Sequence, residues 1–311
     1  MLLYFAPMEG ITGYIYRNLH KELFGGVDKY FMPFIAPTEM HGFKKRELLD
    51  VMPEHNQKIH VVPQILSNQA DDFIYTAKKL IEYGYEEINL NLGCPSGTVV
   101  AKGRGAGFLA RPDELARFLD QIYNWAPIPI SVKTRLGKDN PAEFRDLLPI
   151  FNRFPIHELT IHPRVQKDLY RNSPNLDAFE EALDGSKNPV CYNGDLCTTE
   201  DYTRFRDQFP SVDRVMIGRG LLTNPALARQ IKTGCGITKS ELFTFIKQVQ
   251  REYQENMPDN PVLLKMKELW SYIRKLCPET DTAWKKIKKC RKLSEYENEV
   301  MILVHQDKLL F

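Results

Sequence analysis

The sequence predicts an α/β fold: a closed barrel of eight parallel strands followed by an all-helical domain. Short β-type runs alternate with helix-type stretches along roughly the first 235 residues. The runs number eight, which favours a (β/α)8 barrel over an open doubly wound sheet. No strand pattern recurs after about residue 237. We therefore predict a barrel domain over residues 1–235 and a helical domain over 236–311.

The predicted elements follow one another in a regular order. The strands cover residues 2–6, 28–36, 60–66, 86–90, 128–133, 156–162, 189–192 and 212–217. Helical periodicity follows every strand but the second, over residues 14–24, 70–83, 113–125, 142–154, a stretch that ends at 183, 200–208 and 221–232. Beyond the barrel, helix-type segments begin at Ser240 and include 265–275 and 281–292.

The composition is that of an ordinary globular protein, with 43% hydrophobic and 26% charged residues among 311. No apolar run approaches the roughly 18 residues of a membrane span, and the apolar N-terminus meets Glu9 too soon for a signal peptide. The six cysteines contain no Cys-x-x-Cys pair, which argues against a zinc site and a disulfide framework. We therefore expect a cytoplasmic protein without a bound metal or a membrane contact.

The strand ends carry the residues that suggest chemistry. In a barrel of this kind, active sites form on the loops that follow the strands. Nearly every predicted strand ends in a polar, charged or glycine-rich group, which a purely structural barrel does not require. These groups are Pro7-Met8-Glu9-Gly10, Gln64, Asn91 to Cys94, Lys133 with Arg135, His162 with Arg164, Asn193-Gly194-Asp195 and Gly218-Arg219-Gly220.

The last two strand ends predict a phosphate site. Loops after the seventh and eighth strands commonly bind phosphate through backbone N–H groups and a helix N-terminus. The alternative is that their glycines only form tight turns. The segment 103–107 has the wrong spacing for a dinucleotide motif, and we interpret it as a flexible loop that borders a substrate cleft.

Four side chains are candidates for the reaction itself. Lys133 at the end of an apolar strand fits a cation beside the N1/O2 edge of a flavin, or else a lysine that reaches the barrel mouth. Gln64 fits a hydrogen bond to the same ring, or a solvated strand end. Cys94 fits an acid, since a free thiol is mostly protonated at neutral pH, or a small buried residue. His162 fits a ligand or catalytic role, or a core histidine.

Taken together, the motifs resemble those of the tRNA-dihydrouridine synthases. The matching segments lie in the family's order and span the barrel, and 267–275 resembles the signature of the family's helical domain. The barrel segments are Ala6-Pro7-Met8-Glu9-Gly10, Pro63-Gln64, Asn91-Leu92-Gly93-Cys94-Pro95-Ser96, Val132-Lys133-Thr134-Arg135-Leu136-Gly137, Thr160-Ile161-His162-Pro163-Arg164, Tyr192-Asn193-Gly194-Asp195 and Met216-Ile217-Gly218-Arg219-Gly220.

The resemblance implies a TIM barrel that binds FMN, a helical domain that binds RNA, and NADPH as the reductant. Hydride would go to C6 of uracil, and Cys94 would donate the proton to C5. The FMN contacts implied by position are Pro7, Met8, Glu9, Gln64, Lys133, His162, Asn193, Gly194, Asp195, Gly218 and Arg219. On the barrel side, residues predicted to contact the substrate or RNA are Asn91, Lys102, Arg104, Arg135 and Arg164.

A basic segment in the helical region predicts a surface that binds RNA. Residues 284–292 contain six basic residues in nine, among them Lys285, Lys286, Lys288 and Lys289. The alternative is a solvated helix face. Three other functions stay open: the same chemistry on ribosomal RNA, a dihydroorotate-dehydrogenase-like enzyme acting on a free pyrimidine, and an RNA-binding protein without catalysis.

Overall fold

The computed structural model describes residues 1–37, 42–276 and 281–305. Within these residues, nine short strands form one sheet, and every strand pairing whose register is assigned is parallel. Their bounds are β1 (Leu2–Phe5), β2 (Lys29–Phe31), β3 (Val61–Val62), β4 (Gln64–Ile65), β5 (Ile88–Leu92), β6 (Ile130–Gly137), β7 (Leu159–Val165), β8 (Val190–Tyr192) and β9 (Arg214–Ile217).

The sheet closes on one interrupted strand. Its order is β3-β2-β1-β9-β8-β7-β6-β5-β4, so that β3 and β4 stand at its two ends. These two strands are consecutive in the chain and are separated only by Pro63, which has no N–H to offer to the ladder. The first half pairs with β2 and the second with β5. The eight predicted strands are therefore confirmed as a closed TIM barrel, with the third strand counted as β3 and β4.

The chain divides into two units. The first consists of Met1–Pro7, Lys29–Asp195 and Phe209–Met216, and it contains the barrel wall. Inside the barrel, side chains such as Tyr4, Phe31 and Met216 form a buried apolar cluster. The helices of this unit are α2 (Lys45–Val51), α3 (Ala70–Glu82), α4 (Gly97–Val100), α5 (Pro112–Trp125), α6 (Phe144–Phe151) and α7 (Leu176–Gly185).

The second unit is helical and consists of Met8–Asp28, Leu196–Gln208 and Ile217–Phe311. Phe245 packs edge-on against Tyr16 and Phe24 at 5.2 Å between ring centroids, and the buried Trp270 donates to the Tyr296 hydroxyl at 2.8 Å. The helices are α1 (Tyr14–Leu23), α8 (Thr199–Gln208), α9 (Arg219–Thr223), α10 (Leu227–Thr233), α11 (Lys239–Asn256), α12 (Asp259–Ile273), α13 (Asp281–Ile287) and α14 (Leu293–His305). The domain boundary at residue 235 stays a prediction.

Several predicted bounds are wrong. A helix, α2, follows the second strand, where none was predicted. The fifth and sixth strands do not end at Lys133 and His162, because β6 and β7 go on pairing with each other as far as Gly137 and Val165. The helix predicted over 221–232 is broken before Pro225, as expected for a proline inside a helix.

The helix predicted over 281–292 is also interrupted. The Glu295 carboxylate accepts the backbone N–H groups of Arg291 at 2.7 Å and Lys292 at 3.3 Å, so α14 begins there as a new helix. Within the described residues, no helix combines the length and the apolar character needed to cross a membrane.

Candidate active site

A layer of polar side chains crosses the barrel interior at the level of β4, β5 and β6. Gln64 is in register with Asn89, and Asn89 is in register with Ser131. All three are fully buried, and the Gln64 amide donates to Asn89 Oδ1 at 2.7 Å. Most (β/α)8 barrels fill such layers with branched aliphatic side chains. The polar layer therefore marks this part of the barrel as functional.

Asn91 connects that layer to the predicted acid. It lies within β5, two residues after Asn89, so both side chains face the barrel interior. Its Nδ2 donates to Gln64 Oε1 at 2.7 Å, and its Oδ1 accepts the backbone N–H groups of Gly93 at 3.0 Å and Cys94 at 2.9 Å. One buried amide thus shapes the turn that carries Cys94.

Cys94 itself is half-buried. Its carbonyl accepts the N–H of Ala106 at 3.0 Å, and a Cβ on Gly105 would lie 2.8 Å from that carbonyl. Gly105 also has φ +55°, a conformation that favours glycine. The glycine-rich segment was predicted to be a flexible loop. Its second half instead forms a buried 3₁₀ turn that packs on the Cys94 turn.

Lys133 is placed to supply positive charge beside this turn. It is in register with Asn91, and part of its side chain is exposed. Desolvation of the ammonium, together with the nearby Arg135 guanidinium, lowers the pKa of Lys133 to about 8. Its ammonium interacts electrostatically with Cys94 and Cys191. A lysine with this pKa and an anion beside it would hold its proton more firmly.

We predict that Lys133→Met removes a pH dependence of stability. Between pH 8 and its ordinary pKa of 10.5, Lys133 is protonated in the unfolded chain and largely neutral in the folded one. The free energy of unfolding therefore rises with pH across this window in wild type. Urea unfolding of flavin-free protein at several pH values should show that, from pH 8 upward, the free energy of unfolding of wild type increases relative to that of the methionine variant. A difference that stays constant with pH would contradict the prediction.

Arg164 joins His162 to Asp195. Its guanidinium binds the Asp195 carboxylate through two nitrogens, at 2.9 and 2.5 Å, and lies 3.0 Å from His162 Nε2. Since a guanidinium only donates, Nε2 accepts and the His162 proton is placed on Nδ1. The histidine is therefore held as the neutral tautomer that presents a donor at Nδ1.

The two arginines predicted to contact RNA from β6 and β7 are buried. Arg135 donates to the Gly93 carbonyl at 3.0 Å and the Val165 carbonyl at 2.9 Å, and 1% of its surface is exposed. Arg164 is 2% exposed. An RNA phosphate at the surface does not reach either guanidinium. Any contact with substrate must therefore be made by a base that enters the barrel mouth.

The other predicted RNA residues of this unit lie nearer the surface. Lys102 is exposed. Arg104 is half-buried and contacts Asn68 Oδ1 at 3.4 Å and Asp72 at 3.9 Å. Of this pair, Lys102 is the more accessible to RNA.

The predicted phosphate residues fall in both units. In the first, Asn193 is buried and donates to the Met216 carbonyl at 2.7 Å. In the second, a Cβ on Gly220 would lie 2.1 Å from the Leu196 carbonyl, so glycine lets the loops after β8 and β9 touch. The short helix α9 begins at Arg219, directly after Gly218. Met8 is half-buried and Glu9 is exposed.

The basic segment presents its charges as predicted. Ile287 and Cys290 are buried, whereas Lys285, Lys286, Lys288 and Lys289 are exposed. One of these, Lys286, lies 3.5 Å from Glu299. Within the part of the chain that is described, no cluster of His, Cys, Asp and Glu suits a metal ion.

The sequence alone did not identify Asn89, Ser131 or Glu87 as residues of the site. Ser131 donates to Glu87 Oε1 at 2.6 Å, and Lys29 donates to Glu87 Oε2 at 2.9 Å. The signal was present in the spacing, because Glu87, Asn89 and Asn91 alternate with apolar residues and so share the inner face of one strand.

A model of the dihydrouridine synthase family matches residues 4–308 of the chain. A Staphylococcus aureus protein named "Probable tRNA-dihydrouridine synthase" is 31% identical over 235 residues, which cover 71% of this chain and 68% of that one. "tRNA-dihydrouridine synthase B" of Pasteurella multocida is 28% identical, with 74% and 69% covered. The "tRNA-dihydrouridine(16) synthase" of Neisseria meningitidis is 29% identical, with 73% and 70% covered.

Solved structures share the barrel. A morphinone reductase variant in complex with tetrahydroNAD superposes with a TM-score of 0.55 at 10% identity, over 78% of this chain and 90% of that one. A variant of NCR from Zymomonas mobilis gives 0.53 at 14% identity, over 78% and 90%. At such identities the likeness shows the fold alone.

Proposed function

We propose that this chain, which belongs to the dihydrouridine synthase family, reduces the C5=C6 bond of uridine in RNA with Cys94 as the proton donor. The observation that carries the proposal is the turn of Cys94. A buried amide holds its backbone, and a half-buried lysine lies close enough to interact with it electrostatically. A thiol kept for packing alone needs neither.

FMN fits the residues of the first unit. Lys133 sits in surroundings that lower its pKa, so an anionic partner would stabilise its charged form. Gln64 and the neutral His162 bring hydrogen-bonding groups to the same barrel interior. When bound, FMN supplies the hydride for C6, and we propose NADPH as the reductant that restores it. Met8, Glu9, Gly218 and Arg219 stay cofactor contacts predicted from the resemblance.

Cys94 completes the reduction. The C5=C6 bond is conjugated to the C4 carbonyl, so reduction at C6 pushes charge toward C5 and O4. A proton must then reach C5, and the Cys94 thiol would deliver it. The fixed turn keeps the sulfur in one place during that transfer.

The substrate is proposed to be RNA, and tRNA in particular. A uracil cannot reach a site inside the barrel while it is stacked in folded RNA, so it must be extruded. The exposed lysines of 284–292 would hold the surrounding phosphates. The relatives are named for tRNA, which favours it over ribosomal RNA. We also propose a cytoplasmic location, since the cysteines at 94, 191, 197, 235 and 290 form no disulfide bond.

The test combines a cellular and a purified arm. Dihydrouridine mapped in cellular RNA with and without the gene should lose one or a few tRNA positions. The purified protein should be yellow, be bleached by NADPH, and reduce a tRNA transcript. Activity on free uridine or orotate but not on RNA would favour the free-pyrimidine enzyme. An unpigmented protein that binds RNA would favour the protein without catalysis.

A further inference from the structure

The structure assigns a positioning role to a buried chain of side chains that ends at Cys94. Five side chains form this chain, which we call the amide relay, and they fix the direction of the hydrogen bonds that lead from Glu87 to the backbone N–H groups of Gly93 and Cys94. They are Glu87, Ser131, Asn89, Gln64 and Asn91. The catalytic consequence rests on the proposed function. The structural part of the inference does not.

The lower half of the relay starts at an ion pair. Lys29 donates to Glu87 at 2.9 Å, and the two side chains are 9% and 10% exposed. The other Glu87 oxygen accepts from the Ser131 hydroxyl at 2.6 Å. Ser131 in turn accepts from Asn89 Nδ2 at 2.9 Å. A carboxylate paired with a lysine can only accept, so the Ser131 hydroxyl must donate downward and accept from above.

The direction of the hydrogen bonds in the lower half sets the orientation of the three amides in the upper half, Asn89, Gln64 and Asn91. Because Asn89 gives its Nδ2 to Ser131, its Oδ1 faces Gln64 and accepts from Nε2 at 2.7 Å. Gln64 then turns Oε1 toward Asn91 and accepts from its Nδ2 at 2.7 Å. Asn91 is left with Oδ1 toward the turn, where it accepts the N–H groups of Gly93 and Cys94. Each amide therefore has one orientation that satisfies both of its neighbours.

The groups at the two ends of the relay independently require the same direction of hydrogen bonding. At the bottom only an acceptor is available, and at the top two backbone N–H groups require an acceptor. A relay reversed at any amide would set donor against donor at one end. In a buried site such a mismatch costs more than the hydrogen bond that is lost, because the polar group stays unsatisfied. Ser131 therefore acts on Cys94 through three amides that it holds in one orientation.

The test removes one hydroxyl oxygen from the lower half of the relay. Ser131→Ala deletes the hydroxyl that links Glu87 to Asn89, and Ser131→Thr keeps it. Ser186→Ala is the matched control, since Ser186 also donates to one group, the Asn188 carbonyl at 2.9 Å, and accepts from another, the Asn188 N–H at 3.2 Å, away from the relay. The threonine methyl must enter a fully buried position, so the threonine variant can fail to fold. In that case the comparison of the two alanine variants alone tests the inference.

The first readout needs no activity. Hydrogen exchange of the Gly93 and Cys94 amides should accelerate about fivefold or more in Ser131→Ala, the factor that corresponds to one neutral hydrogen bond, and should stay at the wild-type rate in Ser186→Ala. Amides of β7 serve as the internal reference. Unchanged exchange at Gly93 and Cys94 in Ser131→Ala would overturn the inference, whatever the enzyme turns out to do.

The second readout is kinetic. On a tRNA transcript, Ser131→Ala should lower kcat about fivefold to tenfold while KM for RNA and the rate of flavin reduction by NADPH stay at wild-type values, and Ser131→Thr should restore kcat. Equal loss of kcat in Ser186→Ala would show a general loss of folding and overturn the positioning role. If wild type itself reduces no RNA, the proposed function fails, and the exchange result alone decides the relay.

Discussion

Cys94→Ala is expected to stop uridine reduction while the protein still binds FMN and oxidises NADPH. General-acid catalysis contributes about 10²- to 10⁴-fold, so the rate of dihydrouridine formation should fall by at least about 100-fold. The fold should survive, because the backbone N–H and carbonyl of Cys94, which hold the turn to Asn91 and Ala106, are kept in the alanine variant. Single-turnover oxidation of pre-reduced enzyme by a tRNA transcript, with dihydrouridine measured by mass spectrometry, isolates the step.

The matched control is Cys197→Ala, which removes the thiol of another half-buried cysteine that forms no disulfide. It should reduce tRNA at the wild-type rate. If both variants lose activity together, a general effect of cysteine loss explains the result. If Cys94→Ala keeps full activity, Cys94 is not the acid, and the relay beneath it would have to serve packing alone.

The barrel could be predicted from sequence because its signal is local. Alternation of apolar runs with helical periodicity identified all eight strands and the helical C-terminal region. Bounds were harder, since they depend on partners distant in the chain. The sequence predicts strand ends at Lys133 and His162 because apolar character fades there, but β6 and β7 continue by pairing with each other. Only the three-dimensional partner supplies the hydrogen bonds that extend them.

The site shows the same division. Gln64, Asn91, Cys94 and Lys133 were predicted from their places at strand ends, and the structure brings them together in the first unit. What sequence did not reveal is which polar groups satisfy one another. The pairing of Arg164 with Asp195 spans 31 positions, and it gives a buried arginine that was predicted to contact RNA a partly exposed carboxylate partner within the fold. Sequence alone assigns no role to an asparagine inside a strand. The role of Asn89 becomes visible only when the structure places Gln64 and Ser131 beside it.

Neutralising the basic segment is expected to weaken RNA binding strongly and to make it less sensitive to salt. Lys285, Lys286, Lys288 and Lys289 are exposed on either side of the buried Ile287, so all four can face a phosphate backbone without disturbing the packing beneath. The pairing of Lys286 with Glu299 is a surface contact, and its loss changes stability little.

Each phosphate contact contributes about 0.7 to 0.9 to the slope of log K against log salt, so replacing all four lysines by glutamine should lower that slope by about 3. At about 0.1 M salt this corresponds to a loss of up to roughly a thousandfold in affinity. A control with glutamine at Lys58, Lys78, Lys187 and Lys247, which are exposed elsewhere, removes the same charge. Because only the first set would release counterions on binding, its slope should fall while the control's stays near wild type; equal slopes would make the segment a solvated surface and move the RNA contact elsewhere.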